Sequence, residues 1–275
     1  MTKDDLIEIY RETIMVCQDN GYKNSKGEFV YLSSCNGRRG WLQPGVATTG
    51  LIYDETDAAQ EKVTVDTEIS VVNMDTVLAG EQLLKDCYNP AILNMASKWR
   101  PGGGVERGTT AQEESLFRRS NLCLTLEPLK NYYYPICHDD FAIYCPNTKF
   151  FRGLEAEGCP FLEKAINLPV ITIPAMKLER HERNNPPANW QQVMKVKIMK
   201  ILDAALEFGH DSLVLGAFGC GAYNNPNRKV AELFKDVLAN GIYANRLRKV
   251  IFAVMDRHPE DQNGNFAVFK EVIEK

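Results

Sequence analysis

The chain has 275 residues, 44% of them hydrophobic, and a formal net charge of −4. That length and apolar content bury a substantial core and fit a single elaborated domain. The net negative charge supplies no global basic field, which argues against broad non-specific nucleic-acid binding but not against a local phosphate pocket.

In chain order, Asp4–Gln18 carries Leu6, Ile9, Tyr10, Thr13, Ile14 and Cys17 at three- and four-residue spacing, which predicts an amphipathic helix. Residues 21–49 are rich in Gly, Ser and Asn and read as loop with one or two short strands. Lys62–Val72 alternates through Val63, Val65, Thr67, Ile69 and Val71, a strand ending in the polar Asn73 and Asp75. A helix over Leu78–Cys87, a buried strand over Ala91–Met95 and a helix over Ala111–Leu126 follow. Phe141–Tyr144 and Leu168–Ile173 have the length and branching of strands. Trp190–Phe208 shows a long apolar helical face and stops at Gly209. Strand Ser212–Leu215, helix Arg228–Ala239, strand Val250–Val254 and a C-terminal helix complete the chain. The alternation predicts an α/β fold with a mixed, largely parallel central sheet and helices on both faces, in which ligands sit beyond the carboxyl ends of the strands. No linker or repeat divides it; residues 1–62 are expected to be an N-terminal helical and accessory region packed on a core spanning residues 63–275.

The eight cysteines form no CxxC pair and the four histidines are scattered. Reduced, largely buried thiols and no metal site are the expectation. The start lacks a basic n-region and an apolar h-region, and no 18-residue apolar run occurs. A cytoplasmic protein without a membrane partner is expected, with non-classical secretion left open.

The segment from Arg100 to Ser115 is the most informative. Gly102, Gly103 and Gly104 let a ligand approach bare backbone, and after seven further residues come Gln112, Glu113 and Glu114. Thr110 and Glu113 fit a capping box, which accounts for Glu113 but not for Glu114. A second loop, Gly216 to Gly221, follows an apolar strand and precedes a helix. It lacks the Lys-Ser/Thr of a P-loop and the spacing of GxGxxG, and by itself reads equally well as a phosphate cradle or as a turn packed on the sheet. Asn73, Asn94, Gly102–Gly104, Gly216–Gly221 and Asp256 all fall just after predicted strands, where they can converge on one crevice.

Three glycines, seven residues and Gln-Glu-Glu resemble the hallmark of the bacterial-type poly(ADP-ribose) glycohydrolases, which have a macrodomain fold. Asn89–Ser97 resembles the strand and asparagine ahead of that motif, and Leu213–Pro226 is similar to the macrodomain diphosphate loop. The resemblance runs from about Val63 to the C-terminus. It implies an enzyme without a cofactor that cleaves the terminal ribose–ribose O-glycosidic bond of poly(ADP-ribose) and releases ADP-ribose. Glu114 would be the general acid and base and Glu113 would bind ribose hydroxyls. Asn94 and Tyr223 would hold the distal ribose, Gly102, Gly103 and Gly104 would approach the terminal unit, and Gly219, Cys220 and Gly221 would take the diphosphate. Gln112 and Ala222 complete the substrate-binding set. Phe266 is chosen over Phe269 to stack on adenine, because Phe269 has the spacing of a core contact. A monomer acting on ADP-ribosylated protein or polymer is implied.

Other readings stay open. Relatives commonly follow the glycines with apolar residues and an asparagine, whereas this chain has Val105, Glu106 and Arg107. Those charges raise the alternative of a mono-ADP-ribosyl hydrolase acting on a protein or nucleotide acceptor; a non-catalytic ADP-ribose reader is the third reading. Arg118 stands four residues after Glu114, so an ion pair between them is the default expectation. Trp41 and Trp99 read as packing residues, and Phe150, Phe151 and Arg152 as a strand-end contact.

Overall fold

The structure is a computed structural model and describes residues 1–32, 45–47 and 65–275. Cys35, Trp41, Val63 and the expected boundary at residue 62 lie outside the described residues. In chain order the elements are α1 (Lys3–Gln18), β1 (Gly21–Lys23), β2 (Phe29–Tyr31), β3 (Gly45–Ala47), β4 (Glu68–Val72), α2 (Thr76–Lys85), β5 (Pro90–Met95), α3 (Gln112–Arg119), α4 (Leu122–Leu126), α5 (Lys130–Tyr133), β6 (Ala142–Cys145), β7 (Lys149–Arg152), β8 (Phe161–Asn167), β9 (Val170–Ile173), α6 (Trp190–Glu207), β10 (Ser212–Leu215), α7 (Asn227–Ala239), β11 (Lys249–Ala253) and α8 (Asn265–Ile273). Two compact units result. One comprises Met1–Gly45, Ala96–Cys137 and Cys145–Val170; the other comprises Val46–Met95, His138–Tyr144 and Ile171–Lys275.

The first unit is built around α1 and α3. Thr2 and Asp5 form a capping box that starts α1, and the helix buries Leu6, Tyr10, Thr13, Val16 and Cys17. β1 pairs antiparallel with β2 and β7 with β8. The helix expected over Ala111–Leu126 is broken at Ser120, whose backbone is extended at φ −145° and ψ 174° and bridges to Phe150. The Ser120 hydroxyl donates to the Leu116 carbonyl (2.7 Å) and accepts from the Leu122 N–H (3.2 Å), so one side chain ends α3 and starts α4. Phe150, Phe151 and Arg152, expected as a strand-end contact, make up the C-terminal end of β7, all three buried. Arg152 is held there by the Glu12 carboxylate, the Thr13 hydroxyl and the Cys159 carbonyl.

The second unit carries the seven-stranded sheet, in the order β3-β6-β9-β5-β10-β11-β4. The pairs β5–β10, β10–β11 and β11–β4 are parallel, and the expected mixed α/β architecture is present. β5, β9 and β10 are buried along nearly their whole length, the pattern of interior strands in a parallel sheet. Ile171, Ile173, Leu213, Leu215 and Phe252 form one core with Ile198, Ile201 and Leu202 of α6 and Phe234 of α7. Asp75 caps α2 by accepting from the Val77 and Leu78 N–H groups. Asn73 and Asp256 bond reciprocally, side chain to backbone, and tie the ends of β4 and β11 together. Seven free cysteines are described; Cys87 and Cys137 are exposed and five are buried.

His210 fixes the entry to β10. Its Nδ1 lies 3.1 Å from the Asn89 carbonyl and its Nε2 2.8 Å from the Tyr144 hydroxyl, so the neutral ring donates through Nδ1 and accepts through Nε2. Burial lowers its pKa below the ordinary value, outweighing the Asn89 bond and Asp211, which act in the opposite direction. The unfolded chain then takes up the proton first as pH falls. This part of the stability is complete above about pH 6.5 and is lost below it, down to the folded pKa. Thermal unfolding from pH 7.5 to 5.5 should show Tm falling in the wild type, with His210→Asn less stable at pH 7.5 and flatter with pH. An equal slope in both proteins would refute the assignment.

Candidate active site

In the first unit the glycine loop and the glutamates come together as one hydrogen-bonded cluster. Glu113 Oε2 accepts the Ser97 N–H at 2.7 Å and its Oε1 accepts the Gly102 N–H at 3.2 Å, while Glu114 Oε1 accepts the Gly104 N–H at 2.9 Å. Both carboxylates are buried. They stand in the first turn of α3, where unpaired amides and the helix dipole favour negative charge. The expected capping box is absent: Ala111 is the N-cap and no side chain caps the helix. Glu113 instead turns toward the loop, because two backbone donors there compete with the single cap amide. Glu114 Oε2 accepts no hydrogen bond from the described residues.

Gly103 makes this approach possible. Its φ is +55°, and a Cβ built there would lie 2.7 Å from Glu114 Oε1 and 3.1 Å from Glu113 Oε2. Beyond Gly104 the chain enters a 3-10 turn, Val105–Arg107, with Val105 buried and Glu106 and Arg107 exposed. The Thr109 N–H returns to the Gly104 carbonyl at 3.3 Å and closes the turn.

Arg118 does not pair with Glu114. Its side chain is wholly buried, with Nε 2.6 Å from Glu155 Oε1 and Nη1 donating to the Thr109 carbonyl at 2.9 Å. The guanidinium is taken instead by the partly exposed Glu155 carboxylate and by the main chain at Thr109, which leaves the buried Glu114 outside the pair. Trp99, expected to pack, is 63% exposed.

The second unit holds the other predicted residues. Gly219 has φ +74°, and a Cβ there would fall 2.5 Å from Asn225 Nδ2 and 2.6 Å from Ala175 Cβ. Cys220 N–H is used by the Ala217 carbonyl, whereas the N–H groups of Gly219, Gly221 and Ala222 bond to nothing among the described residues. Burial pushes the Cys220 thiol far above its ordinary pKa, with Arg183 acting the other way, so the sulfur is an un-ionised packing group. Tyr223 is half-buried, and its carbonyl accepts the Leu178 N–H at 3.0 Å. Asn94 is fully buried; its Nδ2 donates to Thr172 Oγ1 at 3.3 Å, but its Oδ1 has no donor among the described residues. Phe266 lies half-buried in the first turn of α8, with Lys270 Nζ 5.7 Å from its ring centre, while Phe269 is fully in the core.

Sequence reasoning missed Asn225. It is fully buried, accepts from the Trp190 indole N–H at 2.6 Å and donates to the carbonyls of Met176, Gly219 and Tyr223, which sets the loop's shape. The available signal was the Asn-Asn-Pro run that ends the loop. A separate concavity of about 500 Å³, lined by Pro186, Trp190, Lys229, Glu232 and Asp236 among others, includes none of the predicted site residues. No group of three or more metal-ligating side chains exists among the described residues, and no helix among them is long and apolar enough to cross a membrane.

The fold is α/β, and one of its two glycine-rich loops grips a pair of buried carboxylates. The sequence matches the model of the microbial-type PARG catalytic domain over residues 10–153, and the chain belongs to that family of glycohydrolase enzymes. The structure is similar to a crystal structure of poly(ADP-ribose) glycohydrolase from Thermomonospora curvata, with a TM-score of 0.83 and 27% identity over 97% of this chain and 98% of that one. The same protein bound to the inhibitor ADP-HPD matches at TM-score 0.78 and 28% identity over the same shares. A poly(ADP-ribose) glycohydrolase from Deinococcus radiodurans in complex with ADP-ribose matches at TM-score 0.65 and 30% identity over 76% of this chain and 85% of that one. No curated protein matches the sequence.

Gly103→Ala tests the cluster. A methyl group there forces the Glu114 and Glu113 carboxylates aside and adds roughly 1–2 kcal/mol of backbone strain. Glycohydrolase turnover should fall by roughly 100-fold from misplacement alone, with the fold retained by circular dichroism. Turnover within twofold of wild type would show that the close approach is dispensable.

Proposed function

We propose that the protein is a poly(ADP-ribose) glycohydrolase that cleaves the terminal ribose–ribose O-glycosidic bond and releases ADP-ribose, with Glu114 as general acid and then general base. The observation that carries this reading is the asymmetry of Glu114: one oxygen is fixed by the Gly104 N–H and the other is left without a partner. A carboxyl so held cannot swing away, and its second oxygen can deliver a proton.

The chemistry needs little more. As the ribose C1–O bond breaks through an oxocarbenium-like transition state, Glu114 gives its proton to the departing ribose hydroxyl. The resulting carboxylate takes a proton from the attacking water, whose oxygen bonds to C1, and the carboxyl is restored. One acid serves both steps, unlike the two-carboxylate glycosidase template. Glu113 binds ribose hydroxyls. Asn94 contributes its unpartnered Oδ1 as an acceptor for a ribose hydroxyl, which would satisfy an otherwise orphaned buried atom. The open N–H groups of Gly219, Gly221 and Ala222 suit phosphate oxygens, Tyr223 packs on the distal ribose, and Phe266 stacks on adenine. The relatives from Thermomonospora and Deinococcus, one with ADP-HPD and one with ADP-ribose, support a ligand of this class.

Wild-type protein and Glu114→Gln should be compared for ADP-ribose released from poly(ADP-ribose), with calorimetric ADP-ribose binding measured on both. The expected outcome is a loss of turnover of roughly 100- to 10,000-fold in the variant with binding preserved. Binding without release by either protein would discard the polymer substrate. Release from mono-ADP-ribosylated protein instead would select the mono-ADP-ribosyl hydrolase.

A further inference from the structure

We infer that Lys98, Trp99 and Arg100 form a subsite for the nucleotide on the leaving side of the scissile bond, the adenine of the next ADP-ribose unit lying on the Trp99 indole. The inference rests on the proposed glycohydrolase reading and deepens it. Trp99 is 63% exposed, yet it sits on one of the most firmly tied stretches of its unit. The two ends of the segment Ser97–Gly102 donate their N–H groups to the two oxygens of the same Glu113 carboxylate, at 2.7 and 3.2 Å. Inside that loop the Trp99 N–H bonds to Ser97 Oγ at 3.2 Å, and the Lys98 carbonyl accepts the Ile136 N–H at 2.8 Å. The loop is therefore a hydrogen-bonded mount, and a large indole stands out from it into water.

Its flanks match a nucleotide in charge as well as in shape. Lys98 Nζ lies 5.7 Å from the Trp99 ring centre, and the half-buried Arg100 makes no ion pair among the described residues. An exposed indole with Lys98 over its ring and Arg100 next to it in sequence complements a base carrying a diphosphate, through stacking on the ring and charge-assisted bonds to phosphate oxygens. The covalent structure of the polymer says where that base must be. The leaving oxygen is on the adenosine ribose carbon next to the one that bears the adenine, so when Glu114 protonates that oxygen the base is only one sugar edge away. Trp99 is four residues from Gly103, within about 14 Å of chain, and Gly103 is the residue over which both carboxylates close. The exposed Tyr132, on the segment that Ile136 ties to Lys98, extends the aromatic surface.

The test separates this subsite from the one that takes the terminal unit. In the Glu114→Gln protein, which binds without turnover, calorimetry compares ADP-ribose with an ADP-ribose dimer joined ribose to ribose. The dimer should bind about tenfold more tightly than the monomer, the amount one base–aromatic stack supplies. Trp99→Ala should erase that advantage while ADP-ribose itself still binds, which also reports that the variant is folded. Trp99→Phe should keep most of the advantage, and Arg100→Gln should lose part of it. A dimer that binds no better than the monomer in the parent, an advantage that survives Trp99→Ala, or a parallel loss of monomer binding in that variant would each overturn the subsite. Failure of the underlying reading shows elsewhere, as a wild-type protein that releases no ADP-ribose from polymer.

Discussion

Everything in the candidate active site follows from the Glu113 carboxylate gripping backbone amides. Its two oxygens close the Ser97–Gly102 loop at both ends, and the Gly104 amide then fixes the neighbouring Glu114. Burying two adjacent carboxylates costs several kcal/mol for each unless donors are supplied. Three main-chain N–H groups and the first turn of α3 supply them, and only a residue without Cβ at position 103 lets the acids come that near. The same carboxylate that organises the loop leaves its neighbour with one oxygen held and one open.

That arrangement needs the nearest guanidinium to be engaged elsewhere. Arg118 is one turn along from Glu114 and completely buried, and a direct pair would have filled the open oxygen. The 3-10 turn before Gly158 brings in Glu155 instead, and the Thr109 carbonyl takes a second N–H. Arg118 thereby clamps the far end of the Gly104–Thr109 turn while its charge is balanced away from the acid. Arg152 plays a comparable structural part with Glu12, Thr13 and Cys159. Both arginines take partners beyond the next helical turn, and this explains why a local i,i+4 rule misjudged the first of them and could say nothing of the second.

The sequence was most legible where periodicity is long. α1, α6, α7, β5, β10 and β11 lie within a residue or two of their expected limits, since an amphipathic stripe or a short β-branched run has few other ways to bury itself. It was least legible where one side chain changes partners. Ser120 breaks a helix by bonding both neighbouring turns, Glu113 leaves a cap for loop amides, and β7, with Phe150 and Phe151 buried, pairs with β8. Asn225 belongs to the same group: hydrogen bonds to the Trp190 indole, to the Met176 carbonyl and to the loop's own Gly219 and Tyr223 carbonyls set the glycine loop, and the Asn-Asn-Pro run marks the turn without showing those partners. Trp99 was misread for the opposite reason. An indole is ordinarily a core residue, and only the solvent around it reveals that the loop holds it outward.

The two units carry different polar groups at their glycine loops. In the first, carboxylates are supplied and the backbone donors around them are already satisfied; in the second, carboxylates are absent from the loop and backbone donors at Gly219, Gly221 and Ala222 stand open. Open amides attract phosphate oxygens and would be wasted on hydroxyls, whereas carboxylates accept from hydroxyls and repel phosphate. Asn94 carries a similar opening in the second unit: its buried Oδ1 has no donor among the described residues, and an unsatisfied buried acceptor is costly to keep.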